Sequence, residues 1–266
     1  IMPSLVGSEM CIRDSGYTAL MLSCKNGHDL CARALIEAKA SLDATQEQGC
    51  TALMFACGKN HEQCARALIE AKADLEASQN QGFTAIMLAA QNGHDLCARV
   101  LIEAGAAVDA TEEDGWTALM MAARNGHEQC VRALIEAGAN LEAQIYSGFT
   151  GGTALMLSCQ NGHDRCACAV IEANADLEAV QEGGFTSLML SCQNGHELCA
   201  RVLLENHAAV DATLEDGYTA LMFAAQNGHD LCARALLEAG AAVDAVVLAP
   251  AGIHSDIAFR RPIHLD

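Results

Sequence analysis

Glycine recurs with a fixed step along this chain. Gly16, Gly49, Gly82, Gly115 and Gly148 fall 33 residues apart, and Gly184 and Gly217 resume that step after one interval of 36. His28, His61, His94 and His127 keep the same spacing, followed by His163, His196 and His229. A period in this range marks a stack of small supersecondary units, not one globule around a single core. Seven units cover residues 16–249, as 16–48, 49–81, 82–114, 115–147, 148–183, 184–216 and 217–249. The fifth carries three extra residues, read within Thr150 to Thr153. Residues 1–15 and 250–266 lie outside the pattern.

The unit that starts at Gly82 shows what each repeat builds. Thr84 precedes a short helical run and can cap its first free backbone N–H groups. Ile86, Ala89 and Ala90 fall on one helical face by the i, i+3, i+4 rule. Gly93 accepts positive φ where that helix must stop. A second helix from about Asp95 presents Cys97, Leu101 and Ala104 on one face. Its opposite side carries Asp95, Arg99 and Glu103 as a charged outer stripe. Gly105 to Asp114 is polar and runs into Asp-Gly, a hairpin-turn signal. Helices this short do not persist alone in water. Their apolar faces need neighbouring units to cover them, so the chain is expected to stack into a quasi-one-dimensional solenoid.

The strings Gly-x-Thr-Ala-Leu, Asn-Gly-His and Leu-Ile-Glu-Ala-Gly-Ala, repeated at 33 residues, resemble the ankyrin repeat across the seven units. The resemblance implies an all-α ankyrin-repeat solenoid of stacked helix-turn-helix units with projecting β-hairpin fingers. It also implies a non-catalytic scaffold that binds a partner protein through its concave groove and fingers. Two departures stand out. Thr-Ala-Leu-Met, as in Thr18 to Met21, replaces the family's usual Thr-Pro-Leu-His, and a Met cannot make the hydrogen bonds of that His. Each finger also ends in an acid, Asp43, Glu76, Asp109, Glu142, Glu178, Asp211 or Asp244, where the family commonly has Asn.

The chain's 14 cysteines invite a metal or disulfide reading. Seven (Cys31, Cys64, Cys97, Cys130, Cys166, Cys199 and Cys232) share one position of the second helix. Stacked helices stand about 8–10 Å apart, beyond the roughly 7 Å Cα separation a disulfide allows. A second set, Cys24, Cys57, Cys159 and Cys192, alternates with Ala90, Ala123 and Ala225, which marks a slot for a small apolar group. The histidine ladder reads as a structural bridge at the turn between helices. There is no nucleophile elbow, phosphate-cradling loop or H-E-x-x-H pair. No catalytic, metal or cofactor residue is therefore expected. Two rival readings are a targeting module of a larger enzyme, such as a kinase or ubiquitin ligase, and a thiol-rich metal or redox protein.

The candidate partner-binding residues are those whose identity varies while their neighbours repeat. Directly after the glycine stand Tyr17, Phe83, Trp116, Phe149, Phe185 and Tyr218, with Cys50 the exception. In the resembling family this position lies at the base of the finger and faces the groove. Rings there offer large, stiff contact area. The end of the first helix borders the same groove with Lys25, Lys59, Gln91, Arg124, Gln160, Gln193 and Gln226. The chain carries 34 acids against 15 bases. That balance excludes nucleic acid, whose binding rests on phosphate neutralisation, and leaves a basic partner segment as the charge-matched choice. No apolar run reaches the roughly 20 residues a membrane helix needs. So many free thiols point to a reducing, intracellular compartment.

The fifth unit differs further, with Cys168 where the other six have Arg, and Arg165 nearby. The string IMPSLVGSEMCIRDS at residues 1–15 reads as translated adapter sequence and not as a signal peptide. Neither end supplies a clear polar cap, so the chain is expected to be part of a longer array or of a multidomain protein.

Overall fold

The structure, a computed structural model, describes residues 16–146 and 151–247. Both non-repeat ends, and with them the readings of residues 1–15 and 250–266, lie outside the described residues. The described chain forms fourteen helices in seven pairs: α1 Ala19–Lys25 and α2 Asp29–Glu37, α3 Ala52–Gly58 and α4 Glu62–Glu70, α5 Ala85–Gln91 and α6 Asp95–Glu103, and α7 Ala118–Arg124 and α8 Glu128–Glu136. The series continues with α9 Ala154–Gln160 and α10 Asp164–Glu172, α11 Ser187–Asn194 and α12 Glu197–Glu205, and α13 Ala220–Asn227 and α14 Asp230–Glu238. Every substantial helix–helix contact among them is within one pair or between adjacent pairs. This is the neighbour-on-neighbour stack that the period demands.

Local chemistry sets each helix. The side chains of Thr18, Thr51, Thr117, Thr153, Thr186 and Thr219 accept from the backbone N–H three residues on. Thr84, the residue from which the cap was read, is the exception: it makes no cap bond and its hydroxyl is buried without a partner. In the first unit Met21 does a little of what a histidine would, since Thr18 N–H donates to its Sδ at 3.4 Å. Sulfur is a weak acceptor, so packing carries these methionines, all buried at 2% exposure or less from Met21 to Met189.

The second helices bury more than one stripe. In α6, Cys97, Ala98, Val100 and Leu101 are all buried, because neighbours cover both flanks. Ala104, expected on that face, is exposed as the C-cap, and Ala106 takes the buried place after the turn. Gly105, Gly138 and Gly240 turn the chain with φ of 83° to 90°. Lys39, Lys72, Asn174 and His207 hold that corner in other units at φ of 63° to 71°. A side chain there costs about 1 kcal/mol or more, partly offset by the entropy glycine loses on folding. Lys72→Gly is therefore expected to stabilise the array by about 0.5–1 kcal/mol in denaturant titration; a loss of stability would contradict the assignment.

The fingers are short. Gln46 N–H donates to the Cys50 carbonyl and Gly49 N–H to that of Gln46, and this pair of bonds recurs in each described finger. Among the described residues there is no strand, only an isolated antiparallel bridge between Thr213 and Thr219. One rung per finger is enough because the next unit completes the support.

Candidate protein-binding surface

Three sets of side chains tie unit to unit and so position everything exposed on the array. The histidines come first. His61 Nε2 donates to the Lys25 carbonyl at 3.2 Å, His127 to that of Gln91 at 3.1 Å, and His163 to that of Arg124 at 3.0 Å. The bridge thus crosses to the preceding unit and does not close the residue's own turn. A carbonyl only accepts, so Nε2 holds the proton and bare Nδ1 lies over the preceding unit's glycine. Burial depresses the pKa of His94 and His196 below the ordinary 6.5. Because the unfolded chain then takes up the proton first, this contribution is complete above pH 6.5 and is lost as pH falls through the folded value.

The acids at the finger ends form the second set. Asp43 Oδ1 accepts the Asp74 N–H at 2.9 Å, and Glu76, Asp109, Glu142, Glu178 and Asp211 accept the matching N–H of the next unit at 2.7 to 2.9 Å. A carboxylate oxygen does here what an Asn carbonyl oxygen can do, which explains the departure from the family's residue. Their charge remains, but their placement is structural.

Thiols make the third set. Cys24 faces Cys64 across the first junction, Cys57 faces Cys97, Cys159 faces Cys199 and Cys192 faces Cys232. Comparing positions within one ladder missed this, because the two cysteine positions meet between units. Burial pushes the thiols of Cys24, Cys130 and Cys166 up to about 12, which keeps them protonated and poorly nucleophilic. Among the described residues no group of three or more His, Cys, Asp or Glu could hold a metal ion.

On this frame sits the aromatic row. Tyr17, Phe83, Trp116, Phe185 and Tyr218 are half-buried and pack against the core. Sequence reading missed their partners, the side chains at the middle of the first helices. Tyr17 packs on Phe55 with ring centroids 5.3 Å apart, and Phe223 lies 5.4 Å from both Phe185 and Tyr218. The helix-end cations cover the rings. Lys25 Nζ stands 4.7 Å from the Tyr17 centroid and donates to its hydroxyl at 3.3 Å. The Arg124 guanidinium stands 5.1 Å from the Trp116 ring. The buried Glu112 carboxylate accepts the backbone N–H groups of both Asp114 and Trp116 at 2.9 Å. Gln91 and Gln226 are exposed, and Gln160 and Gln193 half-buried, at the same helix ends.

Two expected members of the row change. Phe149 lies outside the described residues. The finger bonds run from Gly151 N–H to the Ile145 carbonyl and from Ile145 N–H to the Gly152 carbonyl. Gly151 and Gly152 thus stand where Gly49 and Cys50 stand in their unit, and the extra residues fall between Tyr146 and Gly151. The fifth unit accordingly begins at Gly151, three residues after the sequence boundary, and buried Gly152 holds the place assigned to Phe149. Lys59 also shifts. Helix α3 ends at Gly58, whose carbonyl meets His94, so Gly58 is the counterpart of Lys25 and Lys59 is the C-cap. The sequence carries the same signal: Gly151-Gly152-Thr153 runs on into Ala154-Leu155-Met156 and stands 12 residues before His163, the interval from Gly16 to His28, whereas Gly148-Phe149-Thr150 does neither.

On the outer side, Arg33, Arg66, Arg99, Arg132 and Arg201 each reach a Glu of the next second helix at 3.0 to 3.9 Å. Cys168 interrupts that ladder opposite Glu205. No described helix is long and apolar enough to cross a membrane.

Comparison with known proteins agrees with this geometry. The family profile described as "Ankyrin repeats (3 copies)" matches residues 1–79, 30–112, 73–145 and 155–246. No match is found among curated proteins. The crystal structure of the human ASB11 ankyrin repeat domain superposes with a TM-score of 0.75 at 23% identity, covering 85% of this chain and 99% of that one. Repeat period, neighbour-only packing and profile coincide over nearly the whole described chain, and the chain belongs to the ankyrin repeat family.

Proposed function

We propose that this array binds a partner protein through the row of rings and helix-end side chains that runs across the first helices and finger bases. Ankyrin repeats are in general protein–protein interaction modules, and membership of the family carries the coarse statement. The finer one rests on a single observation: Arg124 covers the half-buried Trp116 ring while Glu112 pins the backbone N–H of the same residue, so a large ring stands in place before any partner arrives. Binding to a preorganised ring avoids part of the ordering cost of association. Tyr17 under Lys25 repeats the arrangement at the first unit. The net charge of −19 favours a basic partner segment. The free thiols suit a reducing, intracellular compartment.

Trp116 is the only tryptophan in the chain, so its fluorescence reports on the proposed surface alone. A partner captured on the immobilised array is expected to shift the Trp116 emission on binding. Trp116→Ala is expected to weaken that partner by at least about 1–2 kcal/mol while the circular dichroism stays helical. Raising ionic strength is expected to weaken binding as well. An unmoved emission together with unchanged affinity of the variant would remove the row from the binding surface.

A further inference from the structure

The six internal junctions show what covers each flank of a unit, and the two outermost flanks carry unmatched halves of the same junction. At the last unit, Leu221 and Met222 are only partly buried and Ala225 is exposed. Their counterparts Leu119, Met120 and Ala123 are buried at 1% exposure or less. Ala233 opens in the same way relative to Val131. At the first unit, Ala19, Cys31 and Ala34 are exposed, whereas Ala118, Cys130 and Ala133 are buried at 3% or less. One flank is the knob side of a junction and the other is its socket.

The polar groups divide in the same way. Asp211 accepts the Ala242 N–H, but Asp244 at the next finger end has no acceptor role among the described residues. Ser41 N–H, the position that such an acid binds, is likewise without one. Arg201 reaches Glu238 across the last internal junction, while among the described residues Arg234 meets only Asp230 of its own helix at 3.9 Å. The counterpart of Glu238 in the first unit is Glu37. His229 bridges to the Gln193 carbonyl; among the described residues the Gln226 carbonyl and His28 are the unmade halves of that bond.

We propose that the last unit of one molecule docks on the first unit of a second copy, continuing the stack head to tail. Ala225 then covers Cys31, as Ala90 and Ala123 cover the equivalent cysteines inside the array. Asp244 takes Ser41 N–H, Arg234 takes Glu37, and His28 takes the Gln226 carbonyl. Such a contact is heterologous and does not close, so it yields open chains and not a fixed dimer. This inference concerns the ends and stands apart from partner binding on the ring row.

Sedimentation velocity of the full chain in reducing buffer, between about 1 μM and 1 mM, tests it. The mass is expected to rise with concentration from the 27.9 kDa monomer through successive multiples. Ala225→Arg and Cys31→Arg alter residues exposed in the single molecule, so each is expected to stay folded by circular dichroism. Each alone is expected to remain monomeric, because one flank is blocked. Mixed in equal amounts they are expected to form a species of twice the monomer mass and none larger, since one open socket meets one open knob. A wild-type chain that stays monomeric throughout would overturn the proposal, as would an Ala225→Arg chain that associates like wild type, or a mixture that stays monomeric.

Discussion

Gly126→Ala is expected to destabilise the array by about 3 kcal/mol, two to three times as much as Gly138→Ala. Both glycines have strongly positive φ, 77° and 83°. An alanine in that region costs about 1–2 kcal/mol by itself. At Gly138 nothing lies within 4 Å of the added methyl group, so the backbone term is the whole effect. At Gly126 the methyl would stand 2.6 Å from Nδ1 of His163. The ring must leave, and the bond from its Nε2 to the Arg124 carbonyl goes with it. Losing that bond and uncovering its acceptor adds about 1–3 kcal/mol. The damage sits at one junction, so unfolding should also lose cooperativity there, with Trp116 fluorescence and total helicity following different curves in guanidinium. Equal destabilisation by the two substitutions would show that the histidine bridge contributes nothing.

The second large effect is expected in the second helices. Leu134 is fully buried, inside a layer that the neighbouring units cover. Leu134→Ala removes buried methyl groups and leaves a void that rigid neighbours cannot fill, at a cost of about 2–5 kcal/mol. Leu96 lies on the same kind of helix but is 50% exposed, and Leu96→Ala should change stability by no more than about 0.5 kcal/mol. Urea titrations of the two variants give the comparison directly. Similar costs would mean that the outer faces of these helices are covered in solution.

The repeat period was the strongest signal in the sequence because 33 residues hold one complete pair of helices and one turn. Gly93 and its counterparts marked helix ends correctly, and the small residues at Ala90 and Cys97 marked close packing. What stayed illegible depends on contacts between units, which a single unit's pattern does not contain. The finger acids stood out only as departures from the family's Asn, yet Asp109 is a backbone acceptor for Asn140 of the next unit. The cysteine ladders looked independent, yet Cys57 and Cys97 face one another across a junction. The ring row and Arg124 were visible, but the support from Phe55 and Phe223 comes from helix positions whose exposure no periodicity reveals. Register was misplaced where two glycine–x–threonine triplets follow one another, although only Gly151-Gly152-Thr153 runs on into Ala-Leu-Met, and the bonds of Ile145 agree with that choice.

Native-state hydrogen exchange of the full chain, at a concentration where it is monomeric, probes most directly whether each unit is held only by the units beside it. Neighbour-only stabilisation predicts graded protection. Amides of α7, α8, α9 and α10, covered on both flanks, should exchange slowest. Protection should fall stepwise through adjacent units to α1 and α2 at one end and α13 and α14 at the other. Uniform protection across all fourteen helices, set by one global unfolding event, would contradict it.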